Sequence, residues 1–175
     1  IPWDDDIDIY LLRSDYERFL KEYKDKNGRF QLLCPEQTEH YFYTFATVID
    51  TETMMIEDET EGYEIGVYVD VFPLDYVTDN LRHRQRIFRW KHLLYKIRRC
   101  KISQKNYLKS KLAYYCYRYL PVSVGTIEWL IEYYIHRRKP SKTICEMCET
   151  DRPLHGCFSV HAMKSTIDVP FAGRT

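Results

Sequence analysis

The stretch Ile1-Pro2-Trp3-Asp4-Asp5-Asp6-Ile7-Asp8-Ile9 alternates with a period of two: Trp3, Asp5, Ile7 and Ile9 fall on one side, Asp4, Asp6 and Asp8 on the other. It reads as a β-strand with three carboxylates on one face. Successive side chains on that face stand roughly 7 Å apart, and such like charges repel unless water or a cation lies between them. A divalent metal explains the run, and hard oxygen donors suit Mg²⁺ or Mn²⁺, which keep several waters and share their remaining positions with phosphate groups. For the run alone, a solvated strand end and a calcium-binding turn are the alternatives. A second carboxylate tips the balance: Tyr68-Val69-Asp70-Val71-Phe72 places Asp70 inside an apolar run, where an unpaired charge is costly. Asp4, Asp6, Asp8 and Asp70 are the expected metal ligands, and phosphoryl-type chemistry the expected use. Asp75, which follows Pro73, reads as a turn or capping residue.

Outward from the acidic strand, Ser14-Asp15-Tyr16-Glu17 has the form of a capping box, opening a helix that buries Tyr16, Phe19, Leu20 and Tyr23 and ends near Asn27-Gly28. Residues 41–49 and 54–57 read as a hairpin, and 65–72 as a strand that stops before Pro73. From Leu81 the pattern turns helical, with stripes at Ile87, Trp90, Leu94 and Ile97, at Leu108, Leu112, Tyr115 and Tyr119, and at Ile127, Leu130, Ile131, Tyr134 and Ile135. After Pro140 the chain reads as loop until a short strand at 166–171. The expected fold class is α+β: a small mixed sheet with a helical C-terminal half. A length of 175 residues fits one domain spanning 1–175, with a carboxylate-bearing sheet part (1–79) and a basic helical part (80–175).

Charge divides the chain at the same place. Residues 1–79 hold 20 acidic and 6 basic side chains, and residues 80–175 the reverse, so the formal net charge is zero. An acidic segment beside a basic one suits metal-holding carboxylates next to a surface for an anionic partner, or simply two halves that dock on each other. Between Asn80 and Arg118 there are 13 basic residues and no acidic ones, interleaved with aromatics. That composition fits contact with an anionic membrane surface; no RNA-binding motif accompanies it, and nucleic acid is not an expected partner. Hydrophobic content of 45% excludes intrinsic disorder. No apolar run approaches the roughly 18 to 20 residues of a membrane span, and the first residues do not resemble a signal peptide. Ile1 is expected to be an internal position of a longer chain. Six cysteines without a short-loop disulfide framework favour a reducing compartment, and the expected location is cytoplasmic, with the inner face of the membrane as a further option. Cys145, Cys148, Cys157 and His161 offer four zinc-type ligands in 17 residues, but the second half departs from the usual paired spacing, so free thiols are preferred to a structural zinc.

Four motifs in order carry a family resemblance: Ile1 to Ile9; Arg13-x-Asp15-Tyr16; Val69-Asp70-Val71-Phe72-Pro73-Leu74-Asp75; and Val169-Pro170-Phe171-x-Gly173-Arg174. Together they resemble the LicD family, which includes phosphorylcholine transferases and fukutin-type ribitol-phosphate transferases, and the resemblance runs almost end to end. It implies a nucleotidyltransferase-like fold and transfer of a phospho-substituent, phosphocholine foremost, from a CDP-activated donor such as CDP-choline to a hydroxyl of a surface glycan, lipopolysaccharide or teichoic acid, with a lipid-linked acceptor as one form. It makes Asp6 and Asp8 the paired metal carboxylates, Asp4 an additional ligand and Asp70 the later carboxylate, so that Asp6, Asp8 and Asp70 are the expected catalytic residues. Arg13 is open to two roles, donor phosphate or a neighbouring Asp, and Arg174 is expected to face the site. The chain departs from the family at Thr47, where many members carry Lys. The glycine-rich turn of such folds would lie before Ile1, which leaves open that residues 1–175 are inactive by themselves. The rival reading is a non-catalytic basic-aromatic module that binds an anionic membrane or polymer.

Overall fold

In the computed structural model, which describes residues 7–38, 41–55, 66–103, 108–136, 139–149 and 155–165, strand β1 (Asp8–Leu12) passes into helix α1 (Arg13–Glu22) with no turn between them. The helix starts before the expected cap: Leu12 is the N-cap residue and supplies no side-chain bond, so Ser14 lies inside the first turn. Strands β2 (Phe30–Leu33), β3 (Ala46–Asp50) and β4 (Tyr68–Val77) follow. Residues 30–33, unmarked in the sequence reading, are the antiparallel partner of β3 in place of the expected 54–57, of which only Met54 and Met55 are among the described residues. A Cβ at Gly66 would meet the Asp50 carbonyl oxygen at 1.8 Å, so the chain enters β4 past the end of β3 at a residue without one.

The ten-residue β4 runs straight through Pro73, where the sequence reading stopped it. Val71 pairs with both Ile9 of β1 and Ala46 of β3; Leu74 pairs with both Leu12 of β1 and Glu146 of β5 (Thr143–Glu146). A residue has one partner on each edge, so β3 and β5 follow each other along the edge of β4 opposite β1. Backbone amides alternate between edges, and Asp70 gives its N–H to Ile7 on the β1 side at 3.0 Å. The N–H that Pro73 lacks would therefore point into the gap between β3 and β5, and no ladder bond is lost. Strand β6 (Cys157–Ser159) pairs with β5 and completes a mixed sheet, parallel between β1 and β4 and antiparallel elsewhere. These last two strands replace the loop expected after Pro140. Their register sets Cys145 opposite Cys157, and the two form a disulfide, which corrects the reading of both as free thiols. The expected strand at 166–171 lies outside the described residues.

Helices α2 (Leu81–Ile102), α3 (Lys111–Arg118) and α4 (Val124–Ile131) are capped by Asn80, Ser110 and Ser123, each accepting from the backbone N–H three residues on. Ile87, Leu94, Ile97, Ile127, Ile131 and Ile135 pack as expected, over Val77, Cys145 and Met147 of the sheet end. Tyr16 and Leu20 of α1 pack over Val71 and Ala46. Both clusters use the odd-numbered face of β4, so the helices lie on one side of the sheet. The α3 stripe is a correction: Leu112 and Tyr119 are 75% and 74% exposed, and Tyr114 is the buried residue, tied by its hydroxyl to Arg118, whose guanidinium also holds the Ser103 carbonyl.

Asp75 is neither a turn nor a cap. It has no exposed surface, and its carboxylate takes two 2.7 Å hydrogen bonds from Nε and Nη2 of Arg13. After α4 the helix widens into a π turn (Glu132–His136) that sets His136 Nδ1 2.9 Å from Asp75 Oδ2 and 2.7 Å from Arg13 Nη2. Burial alone would raise the Asp75 pKa, but His136 and Arg13 outweigh it and hold the carboxyl below its ordinary range. A carboxylate with a depressed folded pKa stabilises above its unfolded value, about 3.9, and that contribution disappears as pH falls through the folded value. Asp75→Asn leaves Arg13 buried without a counter-charge and is expected to cost about 3–5 kcal/mol at neutral pH. Urea unfolding from pH 7 to 3 is expected to narrow the gap between wild type and variant as pH falls below about 4; parallel curves throughout would remove the charge from the explanation.

Candidate active site

Side chains alternate along a strand, so the face of β4 opposite the helices carries Asp70, Phe72, Leu74 and Tyr76. The parallel register sets Asp8 beside Asp70 and Tyr10 beside Phe72; the antiparallel registers add Thr47 beside Asp70 and Glu146 beside Leu74. Asp8 is exposed and Asp70 half-buried. Strands are spaced about 4.8 Å apart, so two carboxylates expected from different parts of the sequence share one small area of sheet. Asp4, Asp6 and Arg174 lie outside the described residues, within which no group of three or more His, Cys, Asp or Glu side chains is placed to hold a metal ion.

Asp70 is held by a hydrogen-bond chain that the sequence did not announce. The Tyr41 hydroxyl donates to Thr47 Oγ1 at 2.7 Å, and Thr47 Oγ1 donates to Asp70 Oδ1 at 2.8 Å. Tyr41 and Thr47 are both buried, at 5% and 3% exposure. Thr47 stands where the family pattern often has Lys, and it gives a fixed donor in place of a charge. This chain orients the Asp70 carboxyl and occupies one of its oxygens. Burial pushes the Tyr41 phenol well up, so it stays a donor.

Aromatic rings continue the face. Tyr10 stacks on Phe72 with centroids 5.3 Å apart, Phe72 meets Phe45 at 4.3 Å, and Phe45 meets Tyr43 at 5.1 Å. Partial burial, then the Asp8 carboxylate, raise the Tyr10 pKa. Glu146, also missed from sequence, accepts from the backbone N–H groups of Cys148 and Glu149 and so closes the turn after β5. Cys148 donates from Sγ to the Thr44 carbonyl at 3.1 Å, and burial lifts its pKa so far that it remains a thiol. A cavity of about 610 Å³ lies among Tyr10, Glu146, Glu149, Phe158 and Met163.

Arg13 is elsewhere. Of its two expected roles the structure shows the neighbouring Asp: its guanidinium is committed to Asp75 on the helix side of the sheet, and that pairing raises its pKa although burial opposes it. Of the four zinc-type residues, Cys145 and Cys157 are bonded to each other and Cys148 is bound to Thr44.

No family model matches the chain. A stretch of 77 residues, 43% of the chain, is 29% identical to the lipopolysaccharide cholinephosphotransferase LicD of Haemophilus influenzae. It spans 28% of that protein's length, a narrower likeness than the four motifs suggest. No solved structure matches. This supports a distant relationship to the LicD family.

Thr47→Val removes the Asp70 donor and strands the Tyr41 hydroxyl, for an expected cost of about 1–3 kcal/mol; Tyr41→Phe costs about 1 kcal/mol. The double variant strands nothing at Tyr41 and is expected to be less destabilised than the sum of the single ones. Urea unfolding of all three variants gives the cycle, and strict additivity would break the proposed chain.

Proposed function

We propose that this chain carries a metal-dependent phosphotransfer centre on a nucleotidyltransferase-like sheet. It moves a phospho-substituent, phosphocholine foremost, from a CDP-linked donor to a hydroxyl of a cell-surface glycan. The observation that carries this reading is the pairing of Asp8 with Asp70 across β1 and β4 on the sheet face opposite the helices. The distant likeness to a cholinephosphotransferase supports it.

The donor set suits the metal. Two hard carboxylates from adjacent strands match Mg²⁺ or Mn²⁺, which are commonly held by one or two protein carboxylates with water and substrate phosphates. Asp8 and Asp70 would hold it, with Asp4 and Asp6 as the further proposed ligands. A bound divalent ion would neutralise the donor diphosphate and the departing CMP. Asp70, oriented by Thr47, is the proposed acceptor of the glycan hydroxyl proton. Tyr10 and Phe72 give the carboxylates an aromatic border that limits water on one side.

Asp8 is exposed at the sheet surface, so Asp8→Asn, which keeps its size, is expected to leave the fold intact, or slightly stabler without metal as carboxylate repulsion falls. It is expected to abolish Mg²⁺-dependent CMP release from CDP-choline by the full-length chain. CDP-ribitol and CDP-glycerol, run in parallel, identify the head group. Wild-type turnover by the variant, or equal Mg²⁺ stabilisation of both proteins, would sink the metal assignment.

A second reading, attachment to an anionic membrane, is favoured by large exposed rings in the helical half of the chain. Trp90 is 61% exposed, Trp129 59% and Tyr119 74%. No helix among the described residues is long and apolar enough to cross a membrane. Arg82, Arg86 and Arg89 are exposed on α2, whereas Arg84 is buried and donates to the Thr78 carbonyl at 3.0 Å, so it is no part of a docking face. Replacing the three exposed arginines by Gln is expected to abolish low-salt co-sedimentation with anionic vesicles, which should itself weaken steeply toward physiological salt. Unchanged binding by the variant would return these residues to an ordinary solvated helix surface.

A further inference from the structure

The apolar stripe that opens α2 does not close over. Ile87 and Leu94 are buried, but Trp90, between them on the same side of the helix, is exposed. Trp90 and the exposed Tyr134 border a groove of about 560 Å³ whose buried lining is Ile87, Leu94 and Ile135, with half-buried Leu130 beside them. Its polar lining, His83 and Arg86, comes from the beginning of α2, and both residues are exposed. No carboxylate is among the described residues that line it.

Length and chemistry narrow the occupant. From His83 to Leu94 the helix rises about 16 Å, the extended length of a chain of about twelve carbons. Along most of that length the lining is hydrocarbon and aromatic, and charge enters only at the end where α2 begins, so a fitting ligand is apolar along its body and anionic at one tip. A sugar or a nucleotide would set its polar groups against Ile87 and Leu94 without partners. A second copy of this chain would bring like charges together: Arg82 and Arg89, next to the lining residues in sequence, are exposed as well, and residues 80–118 hold no acidic side chain to answer them. Charge complementarity therefore falls on an anionic lipid.

We propose that this groove binds one chain of an anionic lipid, with the hydrocarbon laid along Ile87 and Leu94 between Trp90 and Tyr134 and the anionic head at Arg86. The groove belongs to the helical layer, on the other side of the sheet from Asp8 and Asp70, so it is separate from the phosphotransfer centre and does not rest on that reading. It also differs from adsorption to a charged membrane, because a single chain taken from solution fills it and no bilayer is needed. Electrostatic adsorption weakens with salt, whereas each buried methylene adds about fourfold in affinity that salt does not screen.

Calorimetry on the full chain with octyl, decyl, dodecyl and tetradecyl phosphate, each below its micellar concentration, tests it, with decanoate, decanol and inorganic phosphate alongside. One molecule per chain is expected to bind, about tenfold more tightly for decyl than for octyl phosphate, with the gain ending near about twelve carbons, where the groove does. Decanol and inorganic phosphate, which lack the head or the tail, are expected to bind at least about tenfold more weakly than decyl phosphate; decanoate is expected to bind as an anionic chain, and its rank against decyl phosphate identifies the head. Arg86→Gln is expected to lose about tenfold for decyl phosphate and little for decanol. Trp90→Ala, at an exposed position, and Leu130→Trp, which fills the groove, are expected to weaken both ligands by at least about tenfold with unchanged thermal melting. In the Trp3→Phe/Trp129→Phe chain, which keeps Trp90 as its single tryptophan, a terminally brominated decyl phosphate is expected to quench the emission. Affinity that ignores chain length, decanol binding as tight as decyl phosphate, uptake of many molecules per chain, or wild-type affinity in both groove variants would overturn the site. Sedimentation with anionic vesicles without binding of any monomeric alkyl phosphate would overturn it too and leave membrane attachment standing. Monomer binding that the groove variants lose, in a chain that does not sediment with vesicles, would establish the groove and defeat that attachment.

Discussion

A carboxylate with no exposed surface, Asp75, sits where the end of β1, the middle of the sheet and the π turn after α4 converge, and its charge is answered by Arg13 and His136. Burying an ion without partners is among the costliest things a fold can do, so the three elements are obliged to meet there. Arg13 belongs to the acidic half of the chain and His136 to the basic half. The segregated charge of the sequence is therefore joined at an interior point, as well as at Arg98, which reaches from α2 to the segment before β3. Each of these contacts sits behind or beside the carboxylate face, and together they hold the sheet on which Asp8 and Asp70 lie side by side.

The two faces of β4 divide the work. Odd-numbered residues, Val71, Asp75 and Val77, meet the helices; even-numbered ones, Asp70 and Phe72, lie on the opposite face with Thr47, Asp8 and Tyr10. The strict alternation of a strand lets one ten-residue segment serve the helix-covered core on one face and carry Asp70 on the other. The same alternation explains why Asp70 and Asp75, five residues apart and both acidic, have unrelated surroundings. One carboxylate is oriented by a hydroxyl chain and left accessible; the other is sealed and neutralised.

What the sequence made legible were patterns with a strong local cause. The Asp8 and Asp70 strands, the helical stripe of Ile87, Leu94 and Ile97, and the change from sheet to helix near Leu81 follow from periodicity, and the structure has them. Three features escaped for identifiable reasons. Pro73 reads as a strand end because its missing N–H matters only if a partner is there to receive it, and partner position is not local information. Strand β5 is four residues, too short for a period to show, and it exists because β4 offers it an edge. The hydroxyls of Tyr41 and Thr47 belong to residue types so common that only the register of β3 against β4 reveals them. Arg13 and Asp75 were both noticed, but their pairing needed the fold.

The gap at Pro73 divides the sheet into two wings. β2 and β3 attach to the first part of β4, β5 and β6 to the last, and no strand pairing joins β3 to β5 among the described residues. The two wings are nonetheless tied across the gap, by β1, which pairs with Asp70–Leu74 on the other edge, and by the hydrogen bond from Cys148 to the Thr44 carbonyl. Phe42, Tyr43 and Phe45, which precede β3 in one wing, line a cleft of about 620 Å³ against α2, while Glu146 and Glu149 of the other wing line the cavity beside Tyr10. The spacing of the two cavities is therefore set by a splint on the far edge of β4 and a single thiol bond on the near one, while the proline itself asks for no partner.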